Sequence, residues 1–301
     1  MEQIKLSEII KKLSNKKEFN VTEKRINEKA IRNAKEHGYL TTGQFNCEMR
    51  DISLNNLYTD TAKTNGFIKK DNDVNNILSQ TTFVDNAVNS FNYPFVDFRN
   101  IVWGNPLDSV EIDSVRKLSP KRLSAQINLS NEILNGVTDI DKQLTEMVIN
   151  AIYQKLIESV FSTNSGDTES PEGILYDVSA QTLSDVEDIT NIQLDVDKLS
   201  DNGTFICSPT AKQSLNKLNA SNKVFDNGKC LNSNIIFTNL IEDKYLCYCD
   251  LTKIVIGSFG TIGITVDSYT KKHLGQTSIT IDSFFDFTKS NEGFISLGKF
   301  E

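Results

Sequence analysis

The sequence predicts an α+β fold in which one long helix is combined with several antiparallel strands. Residues 91–129 alternate apolar and polar side chains, as half-buried strands do. Residues 140–161 carry an apolar stripe at helical spacing, and residues 262–297 alternate again. Residues 176–263 show short helices and strands in turn, which indicates a mixed unit placed between the long helix and the closing strands.

The N-terminal segment, residues 1–38, is expected to be helical and basic. Ile9, Ile10 and Leu13 recur at helical spacing, and a second run continues through Ile26 and Ala30. Residues 1–37 hold ten Lys and Arg against six Asp and Glu, or +4, whereas the whole chain carries −8, which leaves −12 for the rest. Two interpretations stay open: a mobile helix that contacts a polyanion or an acidic scaffold, and an ordered helical clamp between subunits.

Residues 39–90 are expected to form an extended arm. Asn, Thr, Asp and Ser dominate residues 41–90, and the apolar residues among them show no sustained period. A segment of that length without secondary structure is unusual inside a compact domain. We therefore expect the arm to become ordered on another surface, such as a second subunit.

Residues 91–128 are expected to form an extended loop built as a long antiparallel ribbon. A two-stranded ribbon cannot bury its own face in water, so it needs a surface to lie on. We expect that surface to be a neighbouring subunit, whose acidic body would pair with four cations of the ribbon; the alternative is that these charges only keep the ribbon soluble. The predicted contact residues are Trp103, Arg116, Lys117, Lys121 and Arg122.

Smaller elements follow the long helix. Thr190 is expected to cap one helix, and Ser208 with Pro209 should begin another. Short strands are expected at residues 205–207, 235–237, 245–249 and 254–256. The glycine-rich residues 257–263 then precede a further strand.

The sequence shows no catalytic signature, so no catalytic, cofactor-binding or metal-binding residue is assigned and the protein is not expected to be an enzyme. Residues 257–263 match neither GxGxxG nor a P-loop, and GxSxG and HExxH are absent. The acidic residues Asp185 and Asp188 fit a helix cap better than an acid/base pair. Five cysteines without a CxxC pair and two histidines fit buried thiols better than disulfides or zinc.

Charge and hydropathy exclude further classes. A −12 body is not that of a dedicated nucleic-acid binder, which needs a clustered basic surface. No window reaches 18 apolar residues and the N-terminus has no apolar signal core. We expect a soluble, unsecreted protein without a membrane partner.

Residues 118–134 (LSPKRLSAQINLSNEIL) resemble the tailed-bacteriophage major capsid protein family, which has the Hong Kong 97-type fold. In that family such a strand returns from an extended loop and leads into a long spine helix, as residues 140–161 would supply here. The resemblance covers about residues 90–301. Its further motifs, in family order, are residues 171–175 (PEGIL), 204–209 (TFICSP), 249–256 and 285–294.

The resemblance implies an architecture and an assembly. A peripheral domain would comprise residues 129–175 and 264–301, and an axial domain, residues 176–263, would be inserted into it. Hundreds of copies would form hexamers and pentamers of an icosahedral head enclosing double-stranded DNA, without sequence-specific contact. The virion would be its location, the host bacterial cytoplasm its place of assembly, and scaffolding, portal and decoration proteins its partners.

Two alternatives remain at this point. An encapsulin-like nanocompartment shell has the same fold but encloses protein cargo, so particle contents distinguish it. A soluble enzyme with an unrecognised site would remain a small oligomer.

Overall fold

The computed structural model describes residues 4, 6–37, 41, 43–47, 72–87, 90–96, 112–130, 140–222, 224–226, 228–290 and 292–300. Its helices are α1 (Leu6–Ser14), α2 (Val21–His37), α3 (Asn72–Gln80), α4 (Ile140–Val160), α5 (Val186–Asp197) and α6 (Pro209–Asn222). Its strands up to α4 are β1 (Phe45–Cys47), β2 (Thr82–Ala87), β3 (Phe91–Val96), β4 (Ile112–Leu118) and β5 (Lys121–Ser130). The later strands are β6 (Ala180–Leu183), β7 (Thr204–Cys207), β8 (Phe225–Asp226), β9 (Lys229–Cys230), β10 (Ser233–Phe237), β11 (Tyr245–Cys249), β12 (Ile254–Asp267), β13 (Gln276–Lys289) and β14 (Ile295–Phe300).

A five-stranded sheet contains the two longest strands. Its order is β1-β12-β13-β5, and β2 pairs in parallel with β12. Strand β5 alternates partly buried with exposed residues, so Leu123 and Ile127 face the core while Arg122 faces solvent. Helices α1 and α4 pack together over this core.

A seven-stranded sheet forms the second layer, in the order β6-β14-β11-β7-β10-β9-β8. Alternate residues of its central strands enter two different cores. Phe205 and Tyr248 lie in the core beneath α5 and α6, whereas Ile206 and Cys247 join the core shared with the five-stranded sheet. This burial on both faces explains why these strands read as continuous apolar runs.

Several predicted elements are confirmed. The long helix spans Ile140–Val160, one residue shorter than the predicted 140–161. Ser208 caps α6, because its hydroxyl accepts the Ala211 N–H at 3.2 Å, with Pro209 as the first helical residue.

The described residues of the arm are ordered on another surface, as expected, but that surface belongs to their own chain. Strand β1 pairs with β12 and buries Phe45, helix α3 buries Val74 and Ile77, and β2 pairs with β12. The two short strands are ordered by a strand about 200 residues later in sequence, so the local composition does not show them. Residues 48–71 lie outside the described residues.

The expectation of a mobile N-terminal helix is wrong. Ile9 and Ile10 are fully buried in the main core, α1 packs on α4 and β12, and α2 packs on β1. The apolar face that suggested a clamp between subunits is therefore covered by its own chain.

Two boundaries differ from the sequence analysis. The ribbon ends at Leu118, because β5 joins the five-stranded sheet by pairing with β13. The boundary drawn between residues 263 and 264 matches neither sheet: β12 crosses it inside the five-stranded sheet, and β14 belongs to the seven-stranded one. Strand alternation indicates which residues form strands but not which sheet they join.

Two local predictions are corrected as well. Helix α5 begins at Val186 rather than at Thr190, because Asp185 and Asp188 form a capping box. Residues 257–263 are not a loop between strands but part of the continuous β12. A bulge between Phe259 and Gly263, with Gly260 at φ +70°, keeps that strand paired with β13.

Candidate assembly surfaces

The β3–β4 ribbon begins at a small aromatic cluster. The strands pair from Phe91 with Leu118 to Val96 with Ile112. Leu118 and Phe259 are buried in this cluster, with Phe91 packed beside them at a ring-centroid distance of 5.7 Å from Phe259. The ribbon is thereby fixed to β12 at its base.

The close approach of the ribbon to β12 depends on Gly257. A Cβ atom at this position would lie 3.1 Å from the Phe91 ring, closer than an ordinary contact. Sequence analysis treated Gly257 only as part of a failed phosphate-loop motif, whereas here it makes room for an aromatic side chain.

A buried carboxylate also fixes the chain just after the second strand of the ribbon, β4. Asp286 accepts the Ser119 N–H at 2.8 Å and the Phe287 N–H at 2.9 Å. Burial raises the pKa of Asp286, while the two N–H donors and the nearby Lys121 charge oppose that rise. The family resemblance included this residue in its motif of residues 285–294 but assigned it no role; the signal for that role was a lone aspartate between two phenylalanines that are buried here.

The predicted contact residues separate into two groups. Arg116 and Lys117 are exposed on β4 and have no ion pair with a residue that the structure describes. Lys121 instead donates to the Asp167 and Ser170 carbonyls, both at 2.5 Å. Trp103 lies outside the described residues.

Arg122 is also held within its own chain. Its guanidinium pairs with Asp282 at 2.7 Å, and that carboxylate is only 7% exposed. Lys121 and Arg122 are thus used within the subunit, and the intersubunit pairing stays a prediction that Arg116 and Lys117 are free to fulfil.

A cleft of about 240 Å³ lies at the ribbon base. Arg116, Lys117 and Lys121 line one part of it, and Glu172 and Asp286 line another. With both signs of charge present, the cleft has the character of a polar docking surface rather than of a catalytic pocket.

The N-terminal helices present a second charged surface. The carboxylate of Glu23 receives Lys12 Nζ at 2.6 Å on both oxygens and the Asn20 N–H at 2.7 Å, which joins α1 to α2. Outside this joint, Arg32 and Lys35 are exposed on α2. The basic side chains of the N-terminal segment are therefore exposed on helices that are joined to each other.

The cysteines have the environment of structural residues. All five are buried. Burial raises the pKa of Cys207 and of Cys230 to about 12, and a hydrogen bond with Cys247 together with burial raises that of Cys249. In the part of the chain that the structure describes, no three His, Cys, Asp or Glu side chains converge as metal ligands would.

Comparison with known proteins decides the family. The model of the phage capsid family matches residues 60–300, most of the chain. The chain belongs to the phage capsid family. It is a major capsid protein, and membership in this family places it among structural proteins. The search of curated protein sequences found no match.

Solved structures show that this capsid protein has the predicted Hong Kong 97-type fold. The capsid of a native GTA particle matches with a TM-score of 0.58 at 12% identity, covering 82% of this chain and 97% of that one. Microbacterium phage Oxtober96 matches with a TM-score of 0.58 at 11% identity, covering 81% and 96%. The SrpI encapsulin of Synechococcus elongatus PCC 7942 matches with a TM-score of 0.57 at 9% identity, covering 81% and 93%.

The capsid protein shows no membrane-spanning element of the helical kind. Among its described residues, no helix combines the length and the apolar character needed to cross a bilayer.

Proposed function

We propose that this capsid protein assembles into hexamers and pentamers that close as an icosahedral phage head around double-stranded DNA. The observation that carries the proposal is the family match over residues 60–300. Packaged DNA would be held without sequence-specific contact, in agreement with the −8 net charge of the chain.

The ribbon supports the requirement for neighbours. Among the described residues, β3 and β4 pair only with each other. A two-stranded ribbon is marginal in water unless one face is covered. A neighbouring subunit would cover it, with Arg116 and Lys117 pairing with acidic side chains there.

We assign the seven-stranded sheet with α5 and α6 to the axial domain, and the five-stranded sheet with α4 to the peripheral domain. The exposed charges on α2 are candidates to contact a scaffolding protein or DNA, and portal and decoration proteins complete the expected partners. The virion is its proposed location, after assembly in the host bacterial cytoplasm.

Electron microscopy of the purified protein tests the proposal. Closed shells should form from the full chain, alone or with a scaffolding protein expressed beside it, across a range of salt and protein concentrations. A chain that remains monomeric by light scattering under all these conditions would overturn it.

An encapsulin-like shell is the second candidate, favoured by the match to the SrpI encapsulin. Particles recovered from producing cells distinguish the two: nuclease-protected double-stranded DNA supports the phage head, whereas a stoichiometric protein cargo without DNA supports the nanocompartment.

A further inference from the structure

Rings of identical subunits need two different surfaces on each subunit. A self-complementary patch joins two copies and then stops, whereas a head-to-tail contact between two distinct patches closes a ring. Hexamers and pentamers, the assemblies on which this inference rests, therefore require a complementary pair of patches. The seven-stranded sheet carries such a pair on one face.

The first patch lies at the β6 edge of that sheet. Helix α5 packs against β6, β14 and β11, and Asp195 accepts a hydrogen bond from Gln181 of β6 at 3.3 Å. Leu194 is 49% exposed, so it offers apolar surface beside these polar groups. We call this surface, all of it exposed, the acidic flank: Asp185, Glu187, Leu194 and Asp195.

The acidic flank keeps its charge despite a nearby cation. Lys198, at the end of α5, donates to Asp195 at 3.3 Å, and both side chains are well exposed. An ion pair between two exposed side chains such as these contributes little to stability. The flank retains the carboxylates of Asp185, which accepts the Asp188 N–H as the cap of α5, and of Glu187; neither has an ion pair among the contacts that the structure describes.

The second patch lies on α6, over the same face of the sheet. Helix α6 contacts β11, β14 and β8 and contains Lys residues but no Asp or Glu. Lys212 lies over β10, with its ammonium 4.0 Å from the centroid of the Phe237 ring. We call this exposed surface the basic flank: Lys212 and Lys217.

An acidic side chain near α6 lies away from this flank. Asp243 is hydrogen-bonded to Thr210, at the N-terminal end of the helix, whereas Lys217 lies toward its other end. Asp226 lies opposite Lys229 on the neighbouring strand, outside the flank. Among the ion pairs of the described residues, none involves Lys212 or Lys217.

The two flanks are separate surfaces of one subunit. Asp195 is bonded to Gln181 on the edge strand β6, whereas Lys212 lies over Phe237 of β10, four strand spacings or about 19 Å further along the sheet. Opposite charges on two separate parts of one face fit a head-to-tail contact with a second copy.

We propose that the acidic flank of one subunit docks on the basic flank of the next around the capsomer ring. Leu194 is covered in this contact, and the surrounding carboxylates and ammonium groups set its register. Complementary charge of this kind selects the correct orientation of partners and disfavours symmetric pairing.

Charge reversal tests the contact. Variant A carries Glu187→Lys and Asp195→Lys, and variant B carries Lys212→Glu and Lys217→Glu. Each should stay folded by circular dichroism, because these side chains are exposed, and should lose shells or need at least about tenfold more protein to form them, since like charges then face each other. The neutral pair Glu187→Gln/Asp195→Asn serves as a milder version should variant A fail to fold.

A chain carrying all four reversals is the matched control. Its net charge equals that of the wild type and its flanks are complementary again, so shells should return. A change in net charge or a loss of stability would not be rescued in this way.

Mixing variants A and B tests directly whether the contact runs head-to-tail around a ring. Variants A and B in equal amounts form complementary contacts only where they alternate, which an even ring permits and an odd ring does not. The mixture should therefore form hexamers, visible by native mass spectrometry or microscopy as rings and open sheets, but not closed shells with pentamers.

The result separates this inference from the proposed function. Wild-type shells together with normal shells from both A and B overturn the flank contact but leave the capsid role intact. Failure of the wild type to form any shell overturns the proposed function itself.

Discussion

Three buried charged side chains, Glu23, Asp286 and Lys289, have protein partners that replace water. Asp286 accepts two N–H groups, Glu23 binds Lys12, and Lys289 donates to the Ile174 carbonyl at 2.7 Å. A buried charge without such partners costs several kcal/mol, on the order of 3–5 kcal/mol when one member of a pair is removed. Each of these three side chains joins segments that are distant in sequence.

Asp286 should make stability depend on pH in the direction opposite to most carboxylates. Its pKa is raised above the ordinary 3.8 by burial, so the folded state retains a proton where the unfolded chain has lost it. Its contribution is greatest at low pH and falls as the pH rises from about 3.8 through the folded pKa. The unfolding free energy of the wild type, measured in urea relative to Asp286→Asn, should decrease as the pH rises above the ordinary carboxyl pKa of 3.8; an increase would contradict the assignment.

Glu23→Ala should lower the free energy of unfolding by about 2 kcal/mol, because it leaves Lys12 half-buried and unpaired and removes the acceptor of the Asn20 N–H. Glu18→Ala is the matched control. Glu18 pairs with Lys24 at 3.2 Å but is 90% exposed, so its loss should change stability by less than about 0.5 kcal/mol. Equal effects in urea unfolding would show that α1 and α2 are not joined by this ion pair.

At the scale of elements, the ribbon and the N-terminal helices serve different ends. The ribbon is fixed at its base and forms a two-stranded sheet of its own, whereas the two N-terminal helices are packed on the core and expose charged side chains. In both regions, one set of substitutions can therefore test packing within the subunit and another can test assembly.

Substitution of the basic residues in the predicted loop, residues 91–128, should impair assembly where the residue has no ion pair within the subunit, and stability where it has one. Arg116→Glu with Lys117→Glu should leave the melting temperature of the unassembled subunit unchanged and block shell formation seen by electron microscopy. Arg122→Glu should instead lower the melting temperature, because it places a carboxylate beside the buried Asp282. Normal shells from the first variant would remove the ribbon from the predicted intersubunit contact.

In the N-terminal helices, substitution of a buried apolar residue should lower stability, whereas substitution of exposed charged residues should not. Ile10→Ala should cost about 3 kcal/mol of unfolding free energy, because Ile10 is fully buried against the main core. The exposed set Lys24→Gln, Arg32→Gln and Lys35→Gln should change stability by less than about 0.5 kcal/mol.

If the exposed charge of α2 contacts scaffold or DNA, the neutralised variant should give misassembled or poorly filled particles. Filling is measured from the ratio of absorbance at the nucleic-acid and protein maxima. Wild-type filling would contradict a role for this charge.

At the scale of the whole molecule, local patterns predicted elements and left their arrangement open. The helix at Ile140–Val160 and strand β13 follow from periodicity, and strands β7 and β11 follow from their continuous apolar runs. The short β1 and β2 follow from neither, since their order comes from pairing with β12, far along the chain. The charged flanks escaped sequence analysis for the same reason: only the packing of α5 and α6 on the sheet places Glu187 and Lys217 on one face.

Both sheets are completed by the last part of the chain. Strand β14 lies between β6 and β11, and β13 lies between β12 and β5. A nascent chain therefore cannot close the five-stranded sheet before β13, or the seven-stranded sheet before β14, has left the ribosomal exit tunnel. A polypeptide truncated before β14 lacks a finished seven-stranded sheet to position the two flanks, so we expect it to be unable to form the proposed ring contact.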